Sequence, residues 1–412
     1  MSNRMMRNRR DYRGGILFTL LCVWIGGFGI AADTVTPSAD LTVKGNTAAR
    51  TGVCLYVSKL GDNTDGSSWA KAFGTIQAAL SAIPNDKGGH RVIVRPDTYA
   101  EANLFGAFKG AAGAYNELVG DRDGKLGSGA TGWVVIDSGA PEVVVRTNSK
   151  APTGNPTFMI LPDGDPKQEW GLKSVDWWGP WKCDPAYSGI IWDRWILRNL
   201  YVTGSEGGLG VDLTCQAGAE FSMIAEDCVG IGRFAGGCVI AHVCRPGEPV
   251  LFRRCYFLCL DTWGDAGGVY IRAHHTSMPA EPDAVFEDCT IVGPDNAVQV
   301  GYPGFVGYTR LLFRGCRLAV LNFSQPHGTP STGAIYSDLE GKYLHIDLED
   351  CLIMGYRVFG WVKDPFSFGL KGRVRAYVQY RQPVPEGMER LRFWPVEDFG
   401  KILPGSWGPV GR

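Results

Sequence analysis

The chain has 412 residues, a formal net charge of −1, and 45% hydrophobic, 20% charged and 11% aromatic residues, a globular balance that excludes disorder, collagen and coiled coil as descriptions of the whole. Its 56 glycines, about twice the usual share, require frequent turning and disfavour a helical bundle, which leaves an all-β or repeat architecture as the leading class. No basic patch points to nucleic acid, which is not expected as a partner.

In chain order, Arg4, Arg7, Arg9, Arg10 and Arg13 precede an apolar run from Ile16 to Ile30 that ends in Ala31-Ala32-Asp33. This is the pattern of a secretory signal peptide over residues 1–32, with an uncleaved membrane anchor as the alternative. The segment carries a net +4 of the formal −1, so its removal leaves −5. Residues 33–53 read as a linker. Export places the chain in the secreted, periplasmic or cell-surface compartment, where disulfides persist; Cys22 leaves with the signal and eleven of the twelve cysteines remain. Further on, Ser67 or Ser68 reads as a helix cap, and Trp69, Phe73, Ile76, Leu80 and Ile83, three or four apart, define one apolar helical face suited to covering the open end of a solenoid. Six tryptophans crowd the stretch from Trp170 to Trp195. They form either a platform for sugar rings or an insertion that buries its own aromatics; Trp177 and Trp178, before the Gly179-Pro180 turn, are the platform candidates.

From residue 197 a repeat organises the chain. The tetrads Ala225-Glu226-Asp227-Cys228, Phe252-Arg253-Arg254-Cys255, Phe286-Glu287-Asp288-Cys289, Phe313-Arg314-Gly315-Cys316 and Leu348-Glu349-Asp350-Cys351 share an apolar residue, a charge, a turn-like or polar residue and a cysteine, and Leu197-Arg198-Asn199-Leu200 fits with leucine last. Successive spacings of 28, 27, 34, 27 and 35 suit one turn of a parallel β-helix with insertions. In coils stacked about 4.8 Å apart, the five cysteines form an interior column, expected as reduced core residues because in-register Cβ atoms point the same way. Cys54, Cys183, Cys215, Cys238, Cys244 and Cys259 are the better bridge candidates, with no pairing deducible. A second strand motif follows each tetrad but the last: Val211-Asp212-Leu213, Val239-Ile240-Ala241, Val269-Tyr270-Ile271, Val298-Gln299-Val300 and Ile335-Tyr336-Ser337. The connection before it varies most in length, which gathers the variable loops on one flank. At the end, Val374 to Tyr380 alternates like a strand, and residues 371–412 form a C-terminal strand and Pro-rich tail.

The segment from Leu55 to Leu80, followed by Arg91-Val-Ile-Val-Arg-Pro-Asp-Thr-Tyr-Ala-Glu101, resembles the N-terminal part of right-handed parallel β-helix proteins of the pectin lyase-like class; Asp97 departs from the glycine usual there. With the repeat, the resemblance covers about residues 54 to 365. It implies an all-β, single-stranded right-handed parallel β-helix over 54–370 with an N-terminal capping helix. It also implies a polysaccharide partner, and it does not choose between elimination and hydrolysis.

Aligned on their first apolar residue, the second-motif strands place His242 and Arg272 on neighbouring coils of one exposed surface, with His274 two residues beyond Arg272. The preceding turns supply Asp265 and Asp295, on adjacent coils about 5 Å apart, flanked by Asp261, Trp263 and Asn296. Elimination needs a base, with His242, His274 or Lys342 as candidates, and Arg272 or a cation to neutralise a uronate carboxylate. Calcium held by Asp265 and Asp295 is the cation in question. Hydrolysis needs two carboxyl groups, which Asp265, Asp295 and Asp338 can supply. The plainer alternatives are that the turn carboxylates hydrogen-bond their own backbone, that Arg272 pairs with a neighbouring carboxylate, and that the pairs His274-His275 and His242/Cys244 are solvated side chains or metal ligands. The leading expectation is an exported, monomeric polysaccharide lyase or glycoside hydrolase acting on an extracellular acidic polysaccharide. The rival is a noncatalytic surface or envelope β-helix for adhesion or glycan binding.

Overall fold

The computed structural model describes residues 50–101, 104, 106–137, 192–212, 219–259, 267–273, 275–293, 296–301, 307–320, 333–337, 341–355, 358–359, 367–378 and 392–394. The signal segment, most of the linker, Trp170, Trp177, Trp178 and Trp181, and the end of the tail lie outside them.

Short runs of aliphatic and aromatic residues, too short for helices and, in the first sheet from Trp195–Arg198 onward, each closed by a charged residue, form the rungs of a right-handed parallel β-helix. Ten of them stack in parallel as the first sheet: Cys54–Val57, Arg91–Val94, Asn116–Gly120, Trp195–Arg198, Met223–Glu226, Val250–Arg253, Ala284–Glu287, Thr309–Arg314, Leu344–Glu349 and Ser367–Lys371. All but the first, Cys54–Val57, which leads to the helix Ile76–Ser81, turn a corner toward a second sheet running from Asp97–Tyr99 and Val134–Asp137 through Tyr256–Cys259, Thr290–Gly293, Arg317–Val320 and Leu352–Gly355 to Arg375–Val378 and Arg392–Trp394. Two long strands, Leu200–Asp212 and Val229–Cys244, cross without interruption from the second sheet into a third, which continues as Gly267–Ala273, Asn296–Val300 and Ile335–Ser337. Arg375–Val378 pairs in parallel with Leu352–Gly355, so the alternating segment after Val374 is a further rung.

The tetrad is the corner between the first and second sheets, and each of its positions becomes a column. The first position stacks inside: Leu118, Leu197, Ala225, Phe252, Phe286, Phe313 and Leu348 are in register and buried. The rings of Phe252, Phe286 and Phe313 lie nearly parallel at centroid separations of 4.9 Å. The second position alternates in sign on the outer face. Arg198 bonds Glu226 at 2.7 Å, Arg253 reaches Glu226 at 3.0 Å and Glu287 at 2.8 Å, and Arg314 reaches Glu287 at 2.9 Å and Glu349 at 2.7 Å. Each such pair contributes at most about 1 kcal/mol, but the alternation penalises any register that sets like charges opposite.

The third position turns the chain. Asn199, Asp227, Arg254, Asp288 and Asp350 have φ between 51° and 56°, and Gly315 has φ 63°, a left-handed conformation that Asn, Asp and Gly tolerate best. Arg254 is held there by a bidentate bond to Asp227, at 2.7 Å on both oxygens. The fourth position is the cysteine column. Each Sγ reaches a main-chain carbonyl of the preceding coil, from Cys255 to Ala225 at 3.4 Å through Cys351 to Phe313 at 3.3 Å, and burial pushes the thiols of Cys228, Cys289 and Cys351 up. All eight cysteines with described side chains are unbridged, the five of the column among them. Cys54, Cys244 and Cys259, taken as bridge candidates, are also unbridged. Cys183 and Cys215 lie outside the described residues, and so does the side chain of Cys238.

The capping helix is shorter than its apolar face suggests. It spans Ile76–Ser81, and Thr75, not Ser67 or Ser68, is the cap, accepting from the Ala78 amide at 3.2 Å. The carboxylate of Glu101 takes the amides of Ile76 and Gln77 at 2.7 and 2.9 Å. Ile76, Leu80 and Ile83 join the core as expected. Trp69 instead sits in a turn, its indole N–H donating to Leu126 O at 3.3 Å and its ring against Tyr56. No helix among the described residues is long and apolar enough to cross a membrane.

Candidate functional site

The strands expected to carry chemistry are those of the third sheet, and their register is not the one the apolar pattern suggests. Val211 opposes Val239, and Val269, Val298 and Ile335 oppose one another, as aligned from sequence. Between the two groups the stack slips by two residues, with Gly237 opposite Val269 and Val239 opposite Ile271. A bulge between Val239 and His242 then adds a residue and sets His242 opposite Ala273. His242 and Arg272 therefore stand on adjacent coils without sharing a register position; their side chains lie outside the described residues. Asp261, Trp263, Asp265, His274, Asp295 and Asp338 also lie outside them. Asn296 opens the strand Asn296–Val300, opposite Gly267, and is fully buried. Lys342 is exposed on a single 3₁₀ turn, Gly341–Tyr343, with its ammonium 4.9 Å from the centroid of the Tyr343 ring.

The described polar residues concentrate elsewhere, where the third sheet hands the chain back to the first. Cys244 ends its strand, and the pairing of His242 with Ala273 brings it level with His275 on the next coil. Asp283 immediately precedes the first-sheet strand Ala284–Glu287 and is fully buried. The three side chains meet: Cys244 Sγ is 3.8 Å from His275 Nε2, and the same nitrogen contacts Asp283 Oδ1. The other oxygen, Oδ2, accepts the Arg310 amide at 2.8 Å. Burial first, and then the charge of Asp283, pushes the Cys244 thiol up. Cys244 and His275 appear in the sequence as half of two candidate ligand pairs. Asp283 carries no signal there, since it lies in an ordinary Pro-Asp-Ala stretch and reaches the others only through the coil.

Arg310 links this cluster to a second on the outer face of the first sheet. Its guanidinium reaches Asp347 Oδ2 at 3.0 and 3.2 Å, and His345 bonds Asp347 Oδ1 at 3.1 Å through Nε2 and Ser367 Oγ at 2.6 Å through Nδ1. Burial pushes the Asp347 carboxyl up, but His345 and Arg310 outweigh it and hold it below its ordinary value. On the other side, Arg245 grips the buried Asp193 with two bonds of 2.7 and 2.8 Å and reaches Glu220 at 3.1 Å. Arg310, Asp347, Arg245 and Asp193 are thus engaged with one another, which makes them braces of the corner. The Cys244–His275–Asp283 group stands apart in directing a sulfur, a nitrogen and an oxygen at one point.

No family model and no curated protein matches the chain. Among solved structures it is similar to a pectate lyase, Pel9A, at 12% identity over 85% of this chain and 76% of that one, with a TM-score of 0.44. It is also similar to a rhamnogalacturonan lyase at 13% identity over 79% of this chain and 70% of that one, with a TM-score of 0.31.

Proposed function

We propose that the chain is an exported carbohydrate-active β-helix protein that degrades an extracellular acidic polysaccharide by elimination or hydrolysis. The observation that carries this reading is the position of the strand Gly267–Ala273. It stacks between Val229–Cys244 and Asn296–Val300, so the backbone of Arg272 belongs to a continuous three-coil sheet flanked by the connections of most variable length. In this reading Arg272 neutralises a uronate carboxylate, His242 or His274 takes the proton, and Asp265 and Asp295 hold calcium or act as the carboxyl pair of a hydrolase. Trp177, Trp178, Trp263, Asp261, Asp338 and Lys342 are the substrate-binding candidates, whereas Asn296 is fully buried and supports the strand rather than a glycan. The Arg-rich and apolar segment before residue 33 supplies export.

The test is incubation of the protein, with and without calcium, against acidic and neutral polysaccharides, following unsaturated ends and reducing ends together. Both signals identify a lyase and reducing ends alone a hydrolase, and either is abolished in Arg272→Ala. Retention on a glycan without either signal refutes degradation and establishes the adhesive reading.

A further inference from the structure

We propose that Cys244, His275 and Asp283 form a site for a divalent transition-metal ion of zinc's class, held by three protein ligands with the fourth position left to water. The proposal does not rest on the glycan-degrading reading.

The convergence of the three side chains carries the inference. Their ligand atoms all lie within 4.8 Å of one another. Zinc bonds of about 2.3 Å to sulfur and about 2.0–2.1 Å to imidazole put those two atoms about 3.6 Å apart in a tetrahedral site, against 3.8 Å between Cys244 Sγ and His275 Nε2. A hydrogen-bond relay through histidine uses both ring nitrogens, one for each partner. Here the thiol and the carboxylate address the same Nε2, which can carry one proton and so donate to one of them, whereas a cation at the centre of the triangle serves all three. Closing around an ion requires the His275–Asp283 contact to open to about 3.4 Å, the separation that zinc–nitrogen and zinc–oxygen bonds set in a tetrahedron.

The surroundings hold the ligands in place. Asp283 Oδ2 is tied to the Arg310 amide at 2.8 Å, which leaves Oδ1 for the ion, an outer contact of the kind that orients metal ligands. The Asp283 main chain bonds Arg310 and Val250 at 2.7 and 3.1 Å, and the Tyr308 amide bonds His275 O at 2.9 Å. Cys244 and Asp283 are buried, while the His275 side chain keeps 14% of its surface exposed, enough for an ion and a water to reach the site. The donor set selects the metal. Calcium and magnesium take oxygen ligands, whereas thiolate with imidazole and one carboxylate suits zinc or cobalt.

The experiment is a titration of the purified, reduced and chelator-stripped protein with cobalt(II), followed by zinc. The expected result is a thiolate-to-cobalt charge-transfer band that saturates at one equivalent and is displaced by zinc but not by calcium. Cys244→Ser abolishes the band and weakens zinc binding about 100-fold or more, the loss exceeding that of outer-contact variants. Asp283→Asn keeps an oxygen for the Arg310 amide and so retains the fold while weakening the metal, with metal-free thermal unfolding as the check on folding. Cys54→Ser leaves the band unchanged. Absence of the band in the wild type, its persistence in Cys244→Ser, or displacement by calcium overturns the proposal.

Discussion

Truncation of Phe286 to alanine tests whether the interior columns, rather than the hydrogen-bonded rungs alone, hold the coils together. The ring is fully buried and stacked on both faces, on Phe252 and on Phe313, each at 4.9 Å. Phe→Ala in a core costs about 3–5 kcal/mol, with the cavity contributing in proportion to how little the site can collapse. Collapse is limited here, because the flanking rings are fixed by parallel rungs on either side and each loses a stacking partner worth about 0.5–1.5 kcal/mol. The expected loss is about 4 kcal/mol, or a melting temperature lower by about 6 °C for a domain of this size. Phe286→Leu should cost no more than about 1.5 kcal/mol, because Leu197 and Leu348 already occupy the same column. Thermal unfolding followed by circular dichroism gives the magnitude. Hydrogen exchange gives the location, with protection falling first in Val250–Arg253, Ala284–Glu287 and Thr309–Arg314, since a solenoid couples chiefly nearest neighbours. A loss below about 1.5 kcal/mol for the alanine variant, or equal losses for alanine and leucine, would refute the reasoning.

Arg245→Met strands the buried carboxylate of Asp193, which keeps the Ser222 amide at 3.0 Å as a partner; the expected cost is about 3–5 kcal/mol, and the double variant with Asp193→Leu should recover most of it in the same melt. Gly315→Ala places a Cβ 2.4 Å from Asp288 Oδ1 at φ 63°, and the left-handed cost of about 1–2 kcal/mol, less about 0.4–1 kcal/mol from the stiffer unfolded chain, predicts a net loss that shrinks in an Asp288→Ala background. Buried His90 accepts the Val53 amide at Nδ1, 3.1 Å away, and burial holds its pKa below the ordinary 6.5. The unfolded chain therefore binds the proton first, so stability is complete above pH 6.5 and falls as the pH drops below it; exchange protection at Val53 should follow that course, and a flat profile would show that His90 protonates freely in place.

The tetrad was legible because every constraint on it is local. An apolar residue that points in, a charge that points out, a residue that accepts φ near 55° and a small apolar residue after the corner follow one another within four positions, and the next coil repeats them against the same neighbours. The sequence therefore reveals the Cys228-to-Cys351 column and the corners at Asp227, Asp288 and Gly315 without knowledge of the path between them. The helix cap was not legible in the same way. Ser67, Ser68 and Thr75 are chemically equivalent caps, and the choice falls to Thr75 because Glu101, 25 residues ahead of Ile76, brings its carboxylate to the first amides.

The third sheet shows why a site is harder to read than the coil that carries it. Gly237-Cys238-Val239 and Val269-Tyr270-Ile271 both present small or apolar residues at alternate positions, so sliding one strand by two residues preserves the inward pattern and leaves no penalty in the sequence. The bulge before His242 changes the alignment again, by one. Together they separate His242 from Arg272, the pair that alignment on the apolar motif had placed side by side, and align Cys244 with His275, a pair it had left in different candidate groups. Asp283 completes that group from eight positions beyond His275, at the end of a connection whose length decides where it lands. Coil architecture follows from residue type, but which polar groups meet at the end of a coil follows from register and loop length. That is why the corner column survives the passage from sequence to structure unchanged while the chemistry of this flank had to be found in the fold.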